Sequence, residues 1–152
     1  MKIKFTALFT LVFGLFVAAI TPPSIVVAGE KVHKIAVHVD QNDPRVMNLA
    51  LNNVVNVNKY YASKGEKVEI EVVAYGPGLH MYRADTSPVK ARVEKMSLEF
   101  DNLKFSACGN THRKMSEKAG KKIKIMSEAQ MVPSGVVQLI ELQEKGYSYL
   151  RP

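Results

Sequence analysis

The 152-residue chain has one cysteine, no tryptophan and only 8% aromatic residues. A single cysteine excludes a disulfide framework within the chain, and equally an all-cysteine zinc site. Long hydrophobic runs are scarce too: one alone approaches a membrane span, which excludes a multi-span membrane protein. What is present, 47% hydrophobic and 23% charged residues, is the composition of an ordinary globular protein and not of a disordered, collagenous or coiled-coil one. The length allows one domain and hardly two.

The one long apolar run is N-terminal. Met1 to Lys4 carries two lysines, Phe5 to Ile20 has no charge, and Thr21-Pro22-Pro23-Ser24 breaks the run. Val26-Val27-Ala28 then supplies small residues at the positions a signal peptidase reads, so residues 1–28 are expected to be a secretory signal peptide cleaved after Ala28. The run is shorter than the ~20 residues of a spanning helix and ends in Pro-Pro, which argues against a retained anchor. No cysteine lies near the exit, so a lipid anchor is not expected. The remaining residues, 29–152, are expected to form a single domain in the periplasm or outside the cell.

That domain keeps 19 basic and 14 acidic residues, interspersed as in Lys64-Gly65-Glu66-Lys67. The densest basic stretches, Arg113-Lys114 and Lys121-Lys122, have no interleaved aromatics to stack on bases, so nucleic-acid binding is not expected. An anionic small-molecule partner is compatible with the charge.

Strand and helix patterns alternate along the domain. His33 to Asp40 is β-branched and apolar, a first strand. Asp43-Pro44 is a helix N-cap followed by proline at the first helical position, and Met47, Leu51, Val54 and Val55 recur at helical spacing up to Gly65. Val68 to Tyr75 is a second strand ending in the loop signal Gly76-Pro77-Gly78. Ser87-Pro88 opens a second helix with Val89, Val93, Met96 and Phe100 on its inner stripe. Leu103 to Cys108 is a third strand, and Gly109-Asn110-Thr111 leads into a helix reaching Gly120. Lys122 to Met126 reads as the fourth strand, extending toward Met131. Pro133-Ser134-Gly135 introduces a helix from Val136 to Lys145, stopped by Gly146, and Tyr147 to Leu150 closes as a fifth strand. This order implies an α/β fold: a three-layer sandwich around a mostly parallel five-stranded sheet with right-handed crossovers.

In such sheets ligands sit beyond the carboxyl ends of the strands. Those ends are Asp40-Gln41-Asn42, Gly76-Pro77-Gly78, Cys108-Gly109-Asn110-Thr111 and Val132-Pro133-Ser134-Gly135. The lone cysteine falls among them, just before a helix whose first N–H groups lack partners. Those groups and the helix dipole favour a thiolate, His112, Arg113 and Lys114 add positive charge, and Gly109 leaves space beside the sulfur. The alternative is a buried structural cysteine, a common fate for a free thiol. Gly76 and Gly78 match neither phosphate-loop pattern; they form a turn or a wall of the cysteine pocket. His80 faces either that pocket or solvent. Ser134 sits where a helix N-cap belongs, and no G-x-S-x-G elbow is present. Cys108, His112 and Met115, with His80, raise copper as a minor alternative, but blue-copper ligands belong on an all-β scaffold and this pattern is helical. No resident cofactor or metal is expected.

Residues 33–152 resemble the DsrE/DsrF-like family, which includes sulfur-relay proteins. The likeness rests on the strand–helix order, on Val73-Ala74-Tyr75-Gly76-Pro77-Gly78, on Phe105-Ser106-Ala107-Cys108-Gly109-Asn110-Thr111, and on the tail from Val132-Pro133-Ser134-Gly135 to Gly146-Tyr147. The resemblance implies a persulfide carried on the cysteine after the third strand, here Cys108, with sulfur donors and acceptors as partners and a homo- or hetero-oligomeric assembly. Relay members are cytoplasmic, whereas this chain reads as exported, and it has no second cysteine. The expectation is therefore an exported sulfur-binding or persulfide-transfer protein. The alternative is a non-catalytic binding or assembly module with an inert Cys108.

Overall fold

In the computed structural model, which describes residues 31–152, five strands lie in one sheet of order β4-β3-β2-β1-β5, and every adjacent pair is parallel. The strands are β1 (Val32–Val39), β2 (Lys67–Ala74), β3 (Leu103–Cys108), β4 (Ala129–Val132) and β5 (Ser148–Leu150). The helices are α1 (Pro44–Ser63), α2 (Lys90–Glu99), α3 (Gly109–Ala119) and α4 (Gly135–Glu144). The expected signal peptide, residues 1–28, lies outside the described residues. Among the described residues no helix is long and apolar enough to cross a membrane.

The chain steps from β1 to β4 in one direction and then crosses the sheet to β5. Right-handed crossovers place the outward-step helices on one face and the returning helix on the other. Accordingly Met47, Ala50, Leu51 and Val54 of α1 and Val93 and Met96 of α2 pack on Val37, Val39, Ile70, Val72, Phe105 and Ala107, and Met115 of α3 joins that side. Leu139 and Leu142 of α4 pack on Ala36 and Val73 of the opposite face.

Local chemistry explains most element ends. Asp43 caps α1 by accepting the Arg45 N–H at 2.8 Å, with Pro44 in the first turn as the sequence predicts. Gly76-Pro77-Gly78 is not an open turn: Gly76–Tyr82 forms a 3-10 helix lying against the end of β1. A Cβ on Gly78 would stand 2.2 Å from the Val39 carbonyl oxygen, so only glycine fits there. Ser87 does not open α2. Its hydroxyl accepts from the Val89 N–H at 3.3 Å, making a turn, and α2 starts at Lys90.

The fourth strand departs from expectation. Residues 122–126 make only a short antiparallel bridge, Arg83 to Ile125, with the Ala84 and Met126 N–H groups donating to Lys124 and Tyr82 carbonyls at 2.9 Å. The place beside β3 belongs to Ala129–Val132, in register from Phe105–Ala129 to Cys108–Val132. Glu71, on the polar face of β2, is only 5% exposed, because α4 covers it. Its Oε1 accepts from the Ser106 hydroxyl at 2.6 Å and the Gln138 amide at 2.7 Å.

Candidate functional site

Cys108 is both the last residue of β3 and the N-cap of α3. With extended backbone (φ −70°, ψ 116°) it points its side chain back over the first turn, where Sγ accepts from the Thr111 N–H at 3.4 Å. A thiol takes here the place that serine or aspartate usually holds. A second helix arrives at the same atom. Ser134 is the N-cap of α4, and Gly135 packs so tightly that an added Cβ would lie 3.1 Å from Cys108 Cβ and 2.8 Å from Tyr75 Cβ.

The sulfur thus sits where two helix N-termini meet, each worth about 0.3–1 kcal/mol to a nearby negative charge. Burial pushes the Cys108 thiol up, since it is 4% exposed. Against that act the Thr111 hydroxyl and the N–H groups of Gly135, Thr111 and Asn110, and the balance lies below the ordinary cysteine value. The lowering comes from hydrogen bonds. Two of the three basic residues expected to contribute are engaged elsewhere: Arg113 pairs with Glu117 at 3.3 Å and His112 Nε2 meets the Ile123 carbonyl at 2.7 Å.

The other predicted residues divide. Gly76 joins the centre, because its N–H donates to Thr111 Oγ1 at 2.9 Å, and its φ of +55° suits glycine. Gly78 shapes the approach of the 3-10 helix to β1. Gly109 faces β4, where a Cβ would lie 3.0 Å from the Val132 carbonyl oxygen, and the Asn110 N–H also donates to the Pro133 carbonyl at 3.2 Å. Ser134 holds its N-cap position without a side-chain cap bond. His80 points away from the sulfur's hydrogen-bond set: its Nε2 meets the Thr86 carbonyl at 3.0 Å. The copper alternative loses its ligands the same way, with Met115 packed against the core. Among the described residues no group of three or more His, Cys, Asp or Glu is arranged to hold a metal.

Sequence reasoning missed Tyr75 and His38 as members of this end of the sheet, and it placed Gly135 there without bringing it to the cysteine. His38 stacks on Tyr75 with ring centroids 4.6 Å apart and pairs through Nδ1 with the Tyr149 hydroxyl at 2.7 Å. Beside them Arg151 donates to Asp40 at 2.8 Å. The available signal was positional, since His38 lies near the carboxyl end of the interior strand β1. A groove of about 620 Å³ opens at the opposite end of the sheet, near Val68, Phe100 and Asn102. Its amide Asn102 is already bonded to Asn58 and the Val68 carbonyl, and the lone cysteine lies at the other end of the sheet.

No curated protein matches the chain. Among solved structures, MTH1491 from Methanobacterium thermoautotrophicum, described as a protein of unknown function, is similar with a TM-score of 0.65 and 29% identity, over 79% of this chain and 99% of that one. The sequence pattern of the DsrE/DsrF-like family matches residues 34–152. That span contains all but the start of β1 and both helices that meet at Cys108, and the chain belongs to the DsrE/DsrF-like family.

Proposed function

We propose that this protein carries sulfane sulfur on Cys108, as an exported, homo-oligomeric member of its family. The observation that carries the proposal is the convergence of N–H groups from α3 and α4 on one sulfur, with the thiol lowered from its ordinary value. A thiolate is the nucleophilic form. Attack on the outer sulfur of a donor persulfide R–S–SH forms a Sγ–S bond as the donor's S–S bond breaks. The electron pair leaves on RS⁻, which takes the proton, and Cys108 holds a persulfide anion. An acceptor thiolate reverses the exchange, so no external oxidant or reductant is needed. The N–H groups that stabilise the thiolate suit the persulfide anion equally.

The inert-cysteine reading has one observation on its side: Cys108 is 4% exposed and already caps α3. Intact mass after incubation with polysulfide separates the two. The carrier gains sulfur in the wild type and none in Cys108→Ser; a wild type that never gains sulfur defeats it. Export rests on the N-terminal pattern, and N-terminal sequencing of the exported protein is expected to begin at Gly29. Assembly is supported by the family resemblance and by Val136, Val137 and Ile140 on the outer side of α4, each about half exposed. A monomeric mass by light scattering across a range of salt would contradict it.

A further inference from the structure

His38 is 5% exposed, and its Nε2 has no hydrogen-bond partner among the described residues. Buried polar atoms without partners are few in folded proteins, and each calls for a cause. Its other ring nitrogen is taken by Tyr149, whose ring stands 46% exposed. In the tautomer that lets the Tyr149 hydroxyl donate to Nδ1, the ring proton sits on Nε2 and is a buried donor with nothing to donate to.

The register locates that donor relative to the sulfur. His38 pairs with Val73, and Ala74 pairs with Ala107, so the next residues, Tyr75 and Cys108, stand side by side on the α4 face. Tyr75 therefore lies between Cys108 and His38, stacked on the imidazole and wedged against Gly135. Its phenol makes no hydrogen bond among the described residues, so only packing holds the ring in place. Cys108 and His38 sit on strands two positions apart and two residues out of level, about 12 Å between backbones. One sulfur atom bonded to Cys108 projects about 2 Å. It does not reach His38, but a longer donor does.

We propose that the sulfur donor is a small, extended sulfane-sulfur anion whose far end is held by His38 Nε2, with the Tyr75 ring turning aside to admit it. This rests on Cys108 being a sulfur carrier. In the transfer, the new Sγ–S bond forms at one sulfur of the donor while its adjacent S–S bond breaks. The electron pair departs on the remaining fragment, to which His38 donates its hydrogen bond before that fragment takes a proton from water. Inorganic polysulfide and a low-mass organic persulfide share this chemistry, and separate arms of the test distinguish them.

The test measures sulfur uptake by intact mass over time, with inorganic tetrasulfide in one arm and cysteine persulfide in the other. His38→Leu removes the unpaired atom, so its melting temperature is expected to hold or rise while uptake slows at least tenfold in one arm or both. His38→Gln, which restores an N–H donor, is expected to recover part of the rate. Iodoacetamide alkylation of Cys108 is expected to be as fast in His38→Leu as in the wild type. Should His38→Leu fail to fold, His38→Phe, which keeps the stack on Tyr75, takes its place. Slowing confined to one arm assigns that donor. Uptake at the wild-type rate in both arms overturns the inference, and so does a parallel loss of alkylation, which would mean that Cys108 itself had been disturbed. A wild type that takes up no sulfur in either arm is a different failure: it removes the carrier reading, and this one with it.

Discussion

The hydroxyl of Thr111 accepts the backbone N–H of Gly76 at 2.9 Å, joining residues 35 apart in sequence across the mouth of the cysteine site. The same hydroxyl donates to Cys108 Sγ, so one side chain fastens the 3-10 helix after β2 to α3 and also favours the thiolate.

Thr111→Val keeps the shape and removes both bonds. The Gly76 N–H is left without its partner, which is expected to cost about 1–2 kcal/mol in denaturant unfolding. The pH midpoint of Cys108 alkylation is expected to rise. A variant that unfolds like the wild type and alkylates with an unchanged midpoint would show that Thr111 does neither.

Two glycines separate architecture from chemistry. A Cβ at Gly78 meets backbone at 2.2 Å, whereas one at Gly135 meets side-chain atoms of Tyr75 and Cys108 at 2.8 and 3.1 Å. Gly78→Ala is expected to destabilise by about 3 kcal/mol. Gly135→Ala is expected to cost about 1–2 kcal/mol and to raise the Cys108 alkylation midpoint, because the Gly135 N–H moves off the sulfur. Equal losses with no change in alkylation would contradict the placement of α4 at the cysteine.

Burial holds His38 below its ordinary value of 6.5, with Asp40 opposing and Arg151 adding to the lowering. The Tyr75 and Tyr149 rings pack beside it. An imidazole kept neutral in the fold but free to protonate when unfolded means that the unfolded chain binds more protons below pH 6.5. Stability therefore falls as pH drops through that value. The wild type is expected to lose stability from about pH 6.5 downward more steeply than His38→Leu, as read from denaturant midpoints across pH. Parallel curves would show that His38 protonates freely in the fold.

Much of this was legible in the sequence because it is written in local chemistry. Asp43-Pro44 announces α1, and the run Leu103 to Cys108 before Gly109-Asn110 announces a strand that ends just before a helix. What could not be read depends on partners far along the chain. Lys122 to Met126 alternates like a strand, but its backbone bonds go to Tyr82 and Ala84, and the edge of the sheet is taken by Ala129 to Val132. The same holds within the site. Nothing near His38 in sequence signals that Tyr75 and Tyr149 will enclose it, and nothing near Gly135 signals that α4 will bring an N–H to Cys108.

The central claim is that hydrogen bonds at two helix N-termini hold Cys108 as a reactive thiolate. Its most direct test is the pH dependence of iodoacetamide alkylation, followed by mass on the folded wild type. The account predicts a rate that reaches its plateau with a midpoint below the value of about 8.5 for a free cysteine. A midpoint at or above that value, or a thiol that reacts only after unfolding, would contradict it.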